Sequence, residues 1–209
     1  MRVMGIDPGL TRCGLGIIDM DQGKRAGLVH VEVARTHKDL ATHFRLRTVA
    51  DAIDRLIHEY EPEIVAIERV FVQDNLQSVA TTMQVMGAAM TCVARAGLPM
   101  AMHTPSEVKS AVTGNGTASK AQVQHMVARI LGLSAVPKPA DAADALAIAI
   151  CQGWRGTGLL GAGDDSAVSV SISGRVRARG EMTPAQQLWA QAQAAQRRTG
   201  AVDPRLRQR

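Results

Sequence analysis

The sequence predicts an α/β domain in which helices cover a mixed β-sheet. Two observations lead there. Strand-like runs come first in the chain and then alternate with helical patterns, the order that yields layered sheet-and-helix domains. The apolar runs are also short, and turn or cap residues bound most of them, so each reads as one element of ordinary length. With 209 residues the chain has length for one globular domain and a substantial core.

Residues 2–6 read as a short buried strand and 14–20 and 28–35 as its hairpin partners, with Asp21-Gln22-Gly23-Lys24 as turn material. From 41 to 60, Phe44, Leu46, Val49, Ile53, Leu56 and Ile57 recur at the spacing of an amphipathic helix, which Pro62 closes. Residues 63–67 form a compact apolar run, predicting a central strand that ends at Glu68. Residues 78–96 hold one charge, Arg95, and their apolar side chains spread around the helix, as in helices buried on several sides. One side then meets a second subunit, or the helix is the core of a monomer. Residues 99–103 give the fifth strand. Thr104-Pro105-Ser106-Glu107 marks a helix start, with Thr at N-cap, Pro at N1 and Glu at N3, and that helix ends near Gly114-Asn115-Gly116. Further helices are expected over 119–131 and 141–152. From Gly153 onward Gly, Ser, Arg, Gln and Ala dominate, so 153–209 is expected to be a flexible, disordered basic tail with one short helix at 184–196, following a domain over 1–152.

The net charge of +5 is unevenly placed. Residues 1–153 hold 15 Lys/Arg against 15 Asp/Glu, whereas 154–209 hold nine Arg against four acids. The high overall basicity therefore says little about the core, and a basic groove there needs local charge asymmetry. No stretch approaches the ~18 uninterrupted apolar residues of a membrane helix, and no membrane association is expected. No basic, apolar leader opens the sequence. Three cysteines, Cys13, Cys92 and Cys151, lack metal-ligand spacing and suit reduced thiols in the cytoplasm.

Four carboxylates carry the chemistry. Asp7 stands in Gly5-Ile6-Asp7-Pro8-Gly9, Glu68 follows Ile64-Val65-Ala66-Ile67, and Asp141 and Asp144 stand in Asp141-Ala142-Ala143-Asp144-Ala145. Each lies at the edge of an apolar or small-residue run, where ionised side chains are costly unless a cation offsets them. Hard divalent ions such as Mg²⁺ take oxygen ligands, and two of them about 4 Å apart can clamp the attacking and leaving oxygens of a phosphodiester. The pattern reads as a metal-dependent nuclease.

Each residue also has a plainer reading. Asp7, with Gly14 and Gly16 close behind, suits a turn that lets a backbone approach a phosphate or metal, or equally an ordinary Asx turn. Asp141 and Asp144, at i and i+3, share one face of a helix's first turn, and Asp141 alone suits an N-cap. Phe71, one of two Phe in the chain, lies in a polar loop three residues past Glu68 and either stacks on bases or closes the core. Lys109 and Lys120 bracket Gly114-Asn115-Gly116 and can reach phosphates, although lone lysines are usually just solvated.

Taken in order, Gly5-Ile6-Asp7-Pro8-Gly9 with Gly14-Leu15-Gly16, Ala66-Ile67-Glu68-Arg69-Val70-Phe71, Gly114-Asn115-Gly116 with Lys120-Ala121-Gln122-Val123, and Asp141-Ala142-Ala143-Asp144-Ala145-Leu146-Ala147 resemble the RuvC family of Holliday-junction resolvases. The likeness covers roughly 1–152. It implies an RNase H-like fold with a five-stranded sheet, a homodimer, and Mg²⁺ dependence with two ions per subunit, for which Mn²⁺ substitutes. It implies paired symmetric incisions across four-way junction DNA in recombination and repair, beside the RuvA–RuvB branch-migration complex. By position, the family's catalytic and metal-binding acids fall on Asp7, Glu68, Asp141 and Asp144, its junction-contacting aromatic on Phe71, and its phosphate-contacting lysines on Lys109 and Lys120. The loop after Phe71, Val72-Gln73-Asp74-Asn75-Leu76-Gln77, lacks the basic residues family members often carry there, and the arginine-rich tail exceeds the usual family end.

Three other functions compete. Another RNase H-like nuclease, such as one processing ribosomal RNA, shares the strand–Asp–Gly start but is not expected to pair Glu68 with Phe71. Actin-like ATPases open alike but need a second phosphate loop and far more chain. A non-catalytic junction-binding protein is disfavoured by the acid quartet, which repels phosphates unless cations occupy it.

Overall fold

The computed structural model describes residues 1–69 and 76–156 of the chain. Three antiparallel strands open it: β1 (Arg2–Asp7), β2 (Arg12–Met20) and β3 (Ala26–Arg35). Helix α1 (Thr42–Tyr60) leads to β4 (Ile64–Glu68), parallel to β1, and α2 (Leu76–Arg95) leads to β5 (Met100–His103), parallel to β4. The mixed five-stranded sheet has the order β3-β2-β1-β4-β5. Three more helices follow: α3 (Pro105–Thr113), α4 (Lys120–Ile130) and α5 (Ala140–Arg155).

Strand alternation splits the core into two layers. Met4, Ile6, Leu15, Ile17, Val65 and Ile67 pack against α1 and α2. Val3, Ile18, Ile64 and Ala66 pack against α3, α4 and α5 on the other face. Helix α5 is the most buried of the described helices, with Leu146, Ile148 and Ile150 fully enclosed.

The five strands and the helices are those the sequence implies, with local differences. Phe44 was expected on the apolar face of α1, but it is 47% exposed and covered by Arg47, 5.6 Å over its ring, while Val49, Ile53 and Leu56 take the buried face. Among its described side chains, α2 is not buried on several sides. Val85, Met86, Ala89, Cys92 and Val93 face the core, whereas Met83 and Met90 face outward. Helix α5 runs past the expected boundary at 152, because Trp154 packs onto the α5 layer and donates its indole N–H to the Lys24 carbonyl. Residues 157–209, and with them most of the expected tail, lie outside the described residues.

Candidate active site

Asp7 is the last residue of β1 and Glu68 the last of β4, and the parallel register pairs Ile6 with Ile67 immediately before them. Neighbouring strands lie about 4.8 Å apart, so the two carboxylates leave the sheet side by side. Alternation turns both toward the α5 face, since Gly5 and Ala66, two residues earlier on each strand, meet that layer.

Helix α5 brings the other two acids over this edge, and glycine makes the approach possible. A Cβ on Gly5 would collide with the carbonyl oxygen of Ala145 and lie 2.7 Å from the amide nitrogen of Ala149. One on Gly14 would collide with the Asp141 carbonyl. Gly14 therefore admits the helix backbone rather than a phosphate, the role expected for it from the sequence. Pro139, not Asp141, is the N-cap of α5, and no side chain caps the helix. That removes the capping role for Asp141.

Asp7, Glu68 and Asp144 line one cavity of about 340 Å³ together with Lys109 and Lys120. Two capping boxes fix the lysines: Thr104 with Glu107 starts α3, which carries Lys109, and Ser119 with Gln122 starts α4 at Lys120. Arg155 of α5 reaches Glu107 at 3.2 Å, tying the far end of the helix to α3. Lys120 Nζ stands 2.5 Å from Asp144 Oδ2. Asp141 is not part of the cavity lining. Its Oδ2 lies 3.0 Å from Arg12 Nε, close enough for charge attraction but without hydrogen-bond alignment, so this buried oxygen has no donor among the described residues.

The acids disturb one another. Burial, then the charges of Asp144, Glu68 and Asp141, push the Asp7 carboxyl up to about 7 against the pull of Lys120. Burial and Asp144 raise Glu68, with Lys120 and Lys109 opposing. Burial also raises Asp144, despite its bond to Lys120. Burial works against the Lys120 charge, but Asp144 holds its ammonium above the ordinary value. Such a cluster is short of positive charge.

The residues fit divalent cations. All the donors are carboxylate oxygens, the set that hard ions prefer, and Asp141 Oδ2, which accepts no hydrogen bond among the described residues, has spare acceptor capacity. Among the described residues no three such side chains stand close enough to hold an ion as they are. Lys120 and Arg12 instead lie against Asp144 and Asp141.

The structure thus gathers Asp7, Glu68, Asp144, Lys109 and Lys120, with Asp141 one helical turn away, while Phe71 lies outside the described residues. Sequence reasoning missed two participants. Arg12 opens β2 in a run with no charge pattern to mark it, and only the fold places it on Asp141. His103 closes β5 opposite Glu68 in the register, 3% exposed, with Nε2 2.7 Å from Gln152 Oε1. The Gln152 amide donates to the Gly156 carbonyl, so its oxygen accepts from His103 and fastens the end of α5 to the strand beside Glu68. A histidine closing a strand just before a capping box was the available signal.

The family model described as "Crossover junction endodeoxyribonuclease RuvC" matches residues 3–152. A protein of that name from Leifsonia xyli subsp. xyli is 52% identical across 99% of this chain and 98% of its own length. That match extends over the segment after residue 153 as well. Another from a Nocardioides species is 56% identical across 75% of this chain and 88% of its own. Among solved structures, Thermus thermophilus RuvC superposes with a TM-score of 0.68 at 35% identity, covering 72% of this chain and 92% of that one. The same protein in complex with a Holliday junction substrate gives 0.69 at 36% identity, with the same coverage. The match over both site-bearing strands and α5, together with these relatives, shows that the chain belongs to the RuvC family.

Proposed function

We propose that the chain is a metal-dependent crossover junction endodeoxyribonuclease that resolves four-way DNA junctions by paired symmetric incisions in recombination and repair. The observation that carries this reading is the cavity in which Asp7, Glu68 and Asp144 meet two lysines at the ends of parallel strands. Carboxylates alone repel a phosphodiester, and lysines alone bind one without cutting it. Together they suit a site that holds cations and a phosphate at once.

Asp7, Glu68, Asp141 and Asp144 would hold divalent metal, Mg²⁺ in our reading and two ions per subunit, with Mn²⁺ able to replace it. When bound, such ions supply Lewis acidity at the attacking and leaving oxygens. Asp7, on which the charges of Asp144, Glu68 and Asp141 all act, would hold cation in common with them. Lys120 and Lys109 bind and orient the scissile strand by its phosphates. His103 and Gln152 hold α5 in place over Glu68. Phe71, the aromatic that follows Glu68, stacks on a base near the crossover and positions the strand.

We further place the protein in the cytoplasm. The three cysteines are free and buried, and no helix among the described residues is long and apolar enough to cross a membrane. We also propose that it acts beside the RuvA–RuvB branch-migration complex, a reading that family membership supports. The test of the function is incubation of the full chain with labelled four-way junctions, linear duplex and RNA hairpins, with and without Mg²⁺. Paired, ligatable nicks confined to the junction are expected; cleavage confined to RNA would overturn the reading.

Two opposed strands need two sites, and α2 offers a surface to join them as a homodimer. Met83 is 55% and Met90 41% exposed on its outer face, and a Cβ on Gly87 between them would meet nothing within 4 Å. Met83→Glu is expected to give monomers at micromolar concentration by sedimentation while the circular-dichroism spectrum stays that of wild type, because an exposed side chain leaves no cavity. A variant that remains dimeric places the interface elsewhere.

A further inference from the structure

We infer that Arg12, Arg35 and Lys138 form a second phosphate-binding edge of this site, which takes the sugar–phosphate backbone of the bound DNA on the β2–β3 side of Asp141. This rests on the nuclease reading above and assigns residues to it beyond the two lysines of the acid cavity.

The ladder between β2 and β3 places Arg12 directly opposite Arg35, and directly opposed residues project from the same face of a sheet. That face is the one under α5, because Gly14, two residues beyond Arg12, touches the Asp141 carbonyl region. Arg12 reaches Asp141 itself. Arg35 and Lys138 line a second, open cavity of about 570 Å³ with Gln124, Val136, Pro137, Pro139 and Ala140. No acid lines it. The cations therefore continue from the catalytic acid outward: Arg12 on Asp141, Arg35 across the ladder from Arg12, and Lys138 three residues before Asp141 in the chain.

Charge distribution makes this meaningful. Residues 1–153 are neutral as a whole, so two cations on this hollow, with Arg12 opposite Arg35 in the ladder beside it, are the local asymmetry a polyanion requires. Arg35 and Lys138 are both exposed. The hollow is open and, among the described residues, holds no aromatic side chain, which suits a polymer passing over it better than a small molecule enclosed by it. The apolar walls from Val136, Pro137 and Pro139 can meet deoxyribose. Gln124 adds a neutral polar group from α4, one turn beyond Lys120, so α4 joins this edge to the lysines of the first cavity. A strand held at the acids thus has cations on both sides of the cutting position.

The test measures junction affinity by equilibrium binding across a salt series without divalent metal, so that nothing is cut. Full-length wild type is compared with Arg35→Gln, Lys138→Gln, the double variant and a distant control, Lys24→Gln. Arg12 is left intact because it touches Asp141. Each neutralised phosphate contact contributes about 0.9 to the slope of log affinity against log salt, so the single variants should lose about one unit of slope and the double about two. Binding at low salt should fall about three- to thirtyfold without preference for junction sequence. Arg35→Lys should keep the slope, and melting temperatures should match wild type. A double variant with the wild-type slope overturns the inference, as does an equal loss in Lys24→Gln, which would mark a general charge effect. Wild type that binds junctions yet loses nothing in the variants overturns this inference alone, whereas wild type that binds no junction overturns the functional reading with it.

Discussion

Asp7→Asn should abolish junction cleavage, leave junction binding intact, and make the metal-free protein more stable at neutral pH. Loss of activity by at least about a thousandfold corresponds to about 4 kcal/mol of transition-state stabilisation, the scale on which a misheld metal acts. Binding should survive, because Lys109, Lys120 and the proposed basic edge are untouched. The stability gain is the less obvious half. Asp7 sits half-buried among three other acids, and its carboxyl is raised from 3.8 to about 7. The folded protein therefore keeps a proton that the unfolded chain releases. That contribution to stability is complete below about pH 4 and is lost as pH rises through about 7. By pH 8 the folded protein must carry an unwelcome charge. Asparagine has the same shape and no charge, and should raise the melting temperature there by roughly 5 °C, the effect of about 1–3 kcal/mol in a domain of this size.

Divalent metal should reverse the ranking. An ion that binds the folded state stabilises it, so Mg²⁺ should raise the melting temperature of wild type and have little effect on Asp7→Asn. Since the ion must displace the Asp7 proton, apparent Mg²⁺ affinity should strengthen as pH rises from about 6 to 8. Calorimetric melting at pH 5 and pH 8, with and without Mg²⁺, checks all of this. Equal stability of the two proteins at pH 8 without metal would show that the acids do not strain the fold.

The sequence and the structure agree where chemistry is local. Asp7 and Glu68 were legible because a carboxylate closing an apolar strand is costly, and Asp141 and Asp144 because spacing of three puts them on one helical face. The capping boxes at Thr104 and Ser119 position the lysines by contacts only three residues apart, so they too could be read directly. What escaped depends on register or on neighbours far along the chain. Nothing near Arg12 reveals that it meets Asp141, 129 residues away. Gly5 and Gly16 become meaningful only when the ladder sets them opposite each other beneath α5. The apolar residues of α2 looked spread around the helix because Met83 and Met90 face outward, and composition cannot say which side a core covers. Phe44 kept its helical period yet fell at the exposed start of α1.

Gly5→Ala should be among the most damaging single-methyl changes in the domain. Its Cβ would meet two backbone atoms of α5, the carbonyl oxygen of Ala145 and the amide nitrogen of Ala149, and backbone cannot rotate aside as a side chain can. Either β1 or α5 must move, and both are fully packed elements with Met4, Ile6, Leu146 and Ile148 at zero exposure. Overpacking that only displaces side chains costs about 1–3 kcal/mol, so a backbone collision should cost about 3–5 kcal/mol and lower the melting temperature by roughly 10 °C. The damage should exceed what unfolding explains. Helix α5 carries Asp141 and Asp144, and a shift of about 1 Å in catalytic geometry can lose about a hundredfold in rate. Cleavage measured well below the melting transition should therefore fall by about that factor, while metal-free junction binding is kept. Gly27→Ala is the matched control: it too lies in a strand, but the nearest atom to its added methyl is 3.9 Å away, an ordinary contact. It should melt and cut like wild type. If Gly5→Ala does the same, close packing of α5 on β1 is not what sets the acids over the strand ends.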